Sequence, residues 1–328
     1  MKSSTTRRSF LKNAVAAAVA VPLVTSLEEY ALNAQESSST AKSPVPSSKA
    51  TLPLGKIGKV QLSRILCGGN LISGYAHSRD LIYVSDLLRA YFTPEKIMET
   101  WAQCEQHGIN TMIFGPDDKQ GVETYKKYRA QGGKIQFIAQ LAPQKDKIPD
   151  CIKYAVDIGA MGIALVGNYG DAWSRENSVD KIGEFVTMGK SQGVIVGVNG
   201  HELRTVMSVE KAGIKPDFYM KTLHSSNYWS ARRPDQMKEV IDNYGIDNYW
   251  CMDPGATVRF MQELERPWIA FKVLAAGAIH PKAGFKYAFE NGADFCAVGM
   301  FDFQVGENVK LANAALQETG NRNRAWMA

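Results

Sequence analysis

The 328-residue sequence contains no C-x-x-C pair, no H-x-H or H-E-x-x-H spacing and no G-x-G-x-x-G turn. The usual signatures of a zinc module, a zincin-type helix and an open dinucleotide-binding sheet are therefore missing. Five cysteines, Cys67, Cys104, Cys151, Cys251 and Cys296, are odd in number and widely scattered, which argues against a disulfide framework. Cys67 and Cys296 fall in apolar, strand-like runs and read as small buried hydrophobes, not nucleophiles. Charge of one sign is not gathered in blocks either. Lys and Arg number 38 against 33 Asp and Glu, a net charge of +5 spread along the chain, so nucleic acid is not an expected partner. No apolar run reaches the ~20 strongly apolar residues of a stable transmembrane span. What is present is ordinary globular usage, 45% apolar and 22% charged with 28 Gly and 13 Pro, in a chain long enough to bury a sizeable core.

The first residues read as an address. Thr6-Arg7-Arg8-Ser9-Phe10-Leu11-Lys12 resembles the twin-arginine (Tat) export signature, and a mildly apolar run from Ala14 to Val24 follows it. Residues 1–34 are assigned to a signal peptide with cleavage after Ala34; a retained signal acting as an anchor is the alternative. Residues 35–51 are a Ser/Pro-rich tether with too little apolar surface to order itself. The expected partner of this region is the Tat export machinery, and the expected location is the periplasm or envelope. That route carries folded proteins, often with a prosthetic group already inserted.

From residue 52 to 328 the pattern is that of one domain. A Gly-rich, hairpin-like stretch (Leu54–Val60) precedes eight short β-rich runs with amphipathic helical stretches between them. The runs are Arg64–Asn70, Asn110–Gly115, Ile135–Leu141, Gly162–Asn168, Val194–Asn199, Asp217–Leu223, Trp268–Leu274 and Asp294–Met300. Gly108, Gly133, Gly193, Gly213 and Gly292 sit between a helical stretch and the next run, where a left-handed residue ends the helix. Val194–Val198 and Ile269–Phe271 are apolar on both faces, as parallel strands covered by helices must be. Eight β–α units predict an α/β fold, a closed (β/α)8 TIM barrel with an N-terminal β-hairpin. Two long connections, Ile72–Phe92 with His77, Arg79, Asp80 and Tyr83, and Ser225–Glu265 with Trp229, Arg232, Arg233, Trp250 and Asp253, are lid candidates.

Three stretches resemble the aldo-keto reductase superfamily. Leu54-Gly55-Lys56-Ile57-Gly58 leading to Ser63-Arg64 and Gly68-Gly69 is similar to its hairpin and first strand, Ile269–Gly277 to its seventh strand, and Ala297–Met300 with Glu307-Asn308 to its eighth. The resemblance implies a nicotinamide stacked on Phe271 and an adenine held by Glu307 and Asn308. It does not extend to the catalytic tetrad. Thr111-Met112-Ile113-Phe114 stands where the family has its Asp, with no Tyr shortly after. Gln140 closes the third strand in place of the Lys, and Val166-Gly167-Asn168 closes the fourth without the His. A neutral Gln140 cannot depress a tyrosine pKa as an ammonium does, so the family's usual proton delivery is absent.

Polar residues nevertheless crowd the strand ends: Asn70, Gln140, Asn168, Asn199, His201, Lys221, His224, Lys272 and His280. Lys221 and Lys272 lie in otherwise apolar runs; two facing ammonium groups would lower each other's pKa and yield a nucleophilic amine, a pairing that resembles deoxyribose-phosphate-type aldolases. His201 and His224 follow the fifth and sixth strands, where they suit proton transfer. Asn70, His77, Gln140, Asn168, Asn199 and Trp229 are candidate substrate contacts. Three readings follow: a lyase or isomerase of a small carbonyl or sugar-like compound acting through Lys221 and Lys272 with His201 or His224; a nicotinamide-linked oxidoreductase with a different acid; and a non-catalytic barrel that binds a glycan or partner. A divalent metal, with Glu202 or Asp253 as oxygen ligand, is the lesser cofactor expectation, and no metal-ligand set is assigned.

Overall fold

The computed structural model describes residues 52–75, 81–144, 147–231, 251–320, 322 and 324–328. The signal and tether assigned to residues 1–51 lie outside the described residues, as do His77, Arg79, Asp80, Arg232, Arg233 and Trp250. Two strands, β1 (Leu54–Ile57) and β2 (Val60–Ser63), form an antiparallel hairpin. Eight parallel strands then close a barrel: β3 (Ile65–Gly68), β4 (Thr111–Phe114), β5 (Gln136–Leu141), β6 (Gly162–Leu165), β7 (Ile195–Gly200), β8 (Phe218–Thr222), β9 (Trp268–Phe271) and β10 (Phe295–Gly299). Each lies within one of the eight β-rich runs save for its last residue in β7. Parallel pairing of neighbours around the ring completes a (β/α)8 TIM barrel.

Helices cover the outside: α1 (Val84–Tyr91), α2 (Pro94–Gln106), α3 (Lys119–Ala130), α4 (Ile148–Asp157), α5 (Gly167–Arg175), α6 (Val179–Ser191), α7 (Leu203–Lys211), α8 (Pro254–Gln262), α9 (Pro281–Glu290) and α10 (Val305–Glu318). Sequence chemistry starts several of them. Thr93, Asp118 and Asp253 accept hydrogen bonds from the first turns of α2, α3 and α8, and Pro94 and Pro254 occupy first-turn positions. The predicted glycine stop after α3 moves by one residue. Gly132, at φ +93°, takes the left-handed conformation, whereas a Cβ on Gly133 would lie 2.2 Å from the Tyr128 ring, so that glycine serves close packing.

Strand alternation divides the core in two. Leu66, Ile113, Ile138, Ala164, Ile195, Phe218, Met220, Ile269, Phe295 and Ala297 fill the barrel interior, sealed at one end by Ile57, Val60 and Leu62 of the hairpin. Cys67, Met112, Phe137, Ile163, Val196, Val198, Tyr219, Trp268, Ala270 and Cys296 face the helices. The hairpin end is also tied by charge. Buried Asp294 takes hydrogen bonds from Arg324 (2.7 Å) and the Trp268 and Met327 amides, and Arg64 lies over the Trp326 ring. Among the described residues no helix is long and apolar enough to cross a membrane.

Candidate active site

In barrels of this kind the strand C-termini carry the chemistry. There, alternation turns Gln140 inward on the face of Ile138, Asn199 on that of Ile195, Thr222 on that of Met220 and Phe271 on that of Ile269. His201 follows Asn199 by two residues, and its ring meets that of Phe271 edge to face, with centroids 5.4 Å apart.

The placement of His201 depends on a glycine-lined helix. α5 begins directly after β6, and its first turn lies against the end of β7. A Cβ on Gly167 would stand 2.7 Å from His201 Cε1, and one on Gly170 would stand 2.2 Å from the Asn199 carbonyl oxygen. With both positions bare, the next residue, Asp171, reaches the turn between β7 and α7. Its carboxylate is buried and accepts from the His201 amide (3.0 Å), the Glu202 amide (3.1 Å) and the Thr205 hydroxyl (2.7 Å). The fourth partner is the imidazole, with Nδ1 at 2.8 Å from Asp171 Oδ2.

Electrostatics then fix the protonation state. Burial alone would raise the Asp171 carboxyl; the hydrogen bond and charge of His201, aided by Thr205 and the Glu202 amide, outweigh it and hold the group below its ordinary range. Burial also lowers the His201 pKa from 6.5; Asp171 opposes the shift, while the charges of Lys272 and Lys221 add to it. Asp171 is therefore an acceptor, Nδ1 of a neutral His201 donates to it, and Nε2 keeps its lone pair. That arrangement has the orientation and charge state that general-base chemistry requires. Sequence reading missed Asp171. Its signal was Gly167-Asn168-Tyr169-Gly170-Asp171 immediately after a strand, two glycines at helical spacing followed by a carboxylate.

The two lysines do not face each other from inward stems. Lys221 shares its strand face with Tyr219 and pairs in register with Ala270, both of which pack against helices. Its stem therefore lies in the helix-facing layer, fully buried, and Nζ donates to the Thr222 carbonyl and hydroxyl, each at 2.9 Å. Burial lowers its pKa, while Cys251, Asp171 and Glu202 act in the opposite direction. A one-residue difference in strand phase accounts for the change of face. Lys272 follows β9 at the rim with φ +57°, and Ala275 (φ +45°) and Ala276 (φ +55°) repeat that left-handed geometry before Gly277. Three non-glycine residues in this region each cost about 1–2 kcal/mol, so the packing of the rim holds the loop after β9 against its own preference.

His224 is buried with both ring nitrogens engaged: Nε2 accepts from the Cys251 amide, and Nδ1 donates to the Ser225 carbonyl (2.9 Å). It braces the loop after β8 and leaves neither nitrogen for a substrate proton. His280 caps α9 through Nδ1, and Asp253 caps α8. Glu202 pairs with Arg175. Among the described residues no group of three His, Cys, Asp or Glu side chains is arranged to hold a metal. Asn70 and Asn168 are partly buried, on the turn after β3 and in the first turn of α5, whereas Trp229 is 90% exposed. Of the groups implied for a dinucleotide, Phe271 faces inward at the rim. Asn308 is buried in α10, and Glu307 is solvent-facing near Lys310, so this set fits only in part. An open cleft of about 630 Å³ lies at the opposite, hairpin end, lined by Lys56, Lys59, Gln61, Asn110 and Gln136, away from the strand C-termini.

No family model and no curated protein matches the sequence. Among solved structures, a putative aldo-keto reductase from Pseudomonas aeruginosa is similar at 16% identity, with 83% of this chain and 100% of that chain covered and a TM-score of 0.55. A second structure of a putative aldo-keto reductase from that organism gives 15% identity, 82% and 99% coverage and a TM-score of 0.55. A phospho-2-dehydro-3-deoxyheptonate aldolase from Thermotoga maritima is a looser likeness, at 12% identity, 82% and 75% coverage and a TM-score of 0.48. At these identities the likeness establishes the barrel, not its chemistry.

Proposed function

We propose that this chain is an exported enzyme that moves a proton on a small carbonyl or sugar-like compound, with His201 as general acid and base. The observation that carries the reading is the His201–Asp171 pair, in which a buried carboxylate with four donors fixes a neutral imidazole at the barrel mouth. His201 Nε2 takes a proton from the hydroxyl-bearing carbon beside the carbonyl, and the C–H electron pair forms an enediolate whose charge rests on the former carbonyl oxygen. Returning that proton to the former carbonyl carbon, while the hydroxyl proton passes to the former carbonyl oxygen, completes an isomerisation with no external reductant. Lys272, whose charge already acts on His201, is the cation that opposes the developing oxyanion. Lys221 supports the strand end.

The test is exchange of substrate C–H for deuterium in D2O across a panel of small hydroxy-carbonyl compounds, followed by NMR. Exchange by the wild-type chain that falls by about 10²–10⁴ in His201→Asn supports the reading. Absence of exchange with every compound, or equal exchange in the variant, removes it. Borohydride trapping on Lys272 would reassign the lysine as a Schiff-base nucleophile, and a retained dinucleotide absorbance would favour the oxidoreductase. Export by the twin-arginine machinery to the periplasm or envelope rests on Arg7 and Arg8, and replacing both by lysine should hold the protein inside the cell.

A further inference from the structure

Asn199 carries a signal that the proton-transfer pair does not explain. It sits on the inward face of β7, two residues before His201, and is 1% exposed. Among the described residues neither Oδ1 nor Nδ2 has a hydrogen-bond partner. Native proteins rarely leave both halves of a buried amide unpaired, and where they do the group awaits water or a ligand. The backbone around it is closely held: a Cβ on Gly170 would stand 2.2 Å from the Asn199 carbonyl oxygen, and Asp171 accepts from the amide two residues on.

Resting on the proton-transfer reading above, we propose that Asn199 selects the substrate by binding a neutral hydroxyl of a polyhydroxylated compound beside the carbon that His201 deprotonates. An alcohol satisfies both orphan atoms at once, its O–H donating to Oδ1 and its oxygen accepting from Nδ2–H. A carboxylate or phosphate oxygen takes only the Nδ2 donor and sets its lone pairs against Oδ1. Anionic relatives are therefore rejected at this position. Residues two apart on one strand face stand about 6.6 Å apart at Cα, so a single small molecule can touch both side chains.

Calorimetric titration of the full chain with matched pairs tests the proposal: neutral sugars and sugar alcohols against aldonic acids and sugar phosphates of the same carbon number. The wild-type chain should bind at least one neutral member saturably, and its anionic counterpart at least about tenfold more weakly. Asn199→Leu should weaken neutral binding by about 10–100-fold, yet melt at or above the wild-type temperature, because leucine fills the space without orphan polar atoms. Asn199→Ser, which keeps one hydroxyl, should fall between the two and stands in if the leucine variant does not fold. Unchanged affinity in these variants, a lower melting temperature in Asn199→Leu with no loss of binding, preference for the anions, or no neutral binding would each overturn the proposal. His201→Asn should keep the binding, and a wild-type chain that binds the neutral compound yet exchanges none of its C–H would count against the proton-transfer reading and not this one.

Discussion

Asp171 is worth more than its charge. Four donors converge on it, and removing the charge while keeping the shape in Asp171→Asn leaves an amide whose NH2 faces hydrogen-bond donors. The expected cost is about 2–4 kcal/mol of stability, with deuterium exchange reduced by about 10²–10⁴-fold, readable by denaturant melts and NMR. Lys221 makes the opposite prediction. Its stem runs between β8 and the helices, and among the described residues Nζ donates to the Thr222 carbonyl and hydroxyl with no carboxylate in hydrogen-bond reach. Lys221→Met should therefore change stability by less than about 1.5 kcal/mol and keep exchange within about threefold, whereas Lys272→Met should cost at least about tenfold. A paired-lysine mechanism requires loss in both. This distinction could not be seen in the sequence, because Phe218-Tyr219-Met220-Lys221-Thr222 is large on both faces and offers no polar–apolar alternation to set its phase.

The element that decides the site is the first turn of α5. Its glycines were visible as composition but not as a device, since their meaning depends on which strand the helix lies against. Gly170→Ala would place a Cβ 2.2 Å from a backbone oxygen that cannot swing away, so α5 must lift. That should cost about 1–3 kcal/mol and withdraw Asp171 from His201, reducing exchange without touching either side chain. A crystal structure of the variant would show the Asp171–His201 separation beyond 2.8 Å. The strands themselves were legible for a simple reason: Val194–Val198 and Trp268–Phe271 are apolar throughout, and only a strand covered on both faces needs that. The loop after β9 was not legible, because nothing in Lys272-Val273-Leu274-Ala275-Ala276 announces left-handed backbone at three non-glycine positions.

At the scale of the whole molecule, the barrel and its hairpin plug follow from periodicity, and the site follows from packing. The resemblance to aldo-keto reductases placed Phe271 at the rim but supplied no acid, and the Asp171–His201 pair came from a helix contact between distant residues. The pair also sets how stability responds to pH. An unfolded chain protonates its histidine near 6.5, while folded His201 resists protonation until lower pH, so the unfolded state binds more protons in that interval. Stability should fall as pH drops below about 6.5, and His201→Asn should flatten that part of the melting curve. Below 3.8 the depressed Asp171 carboxyl extends the loss in the same direction. The most direct check on the account is the charge and tautomer of His201 in the intact chain, read by 15N NMR of its five histidines and assigned with His201→Asn. A neutral ring at pH 7 with its proton on Nδ1 is predicted; a ring charged at pH 7, or one protonated on Nε2 alone, would contradict it.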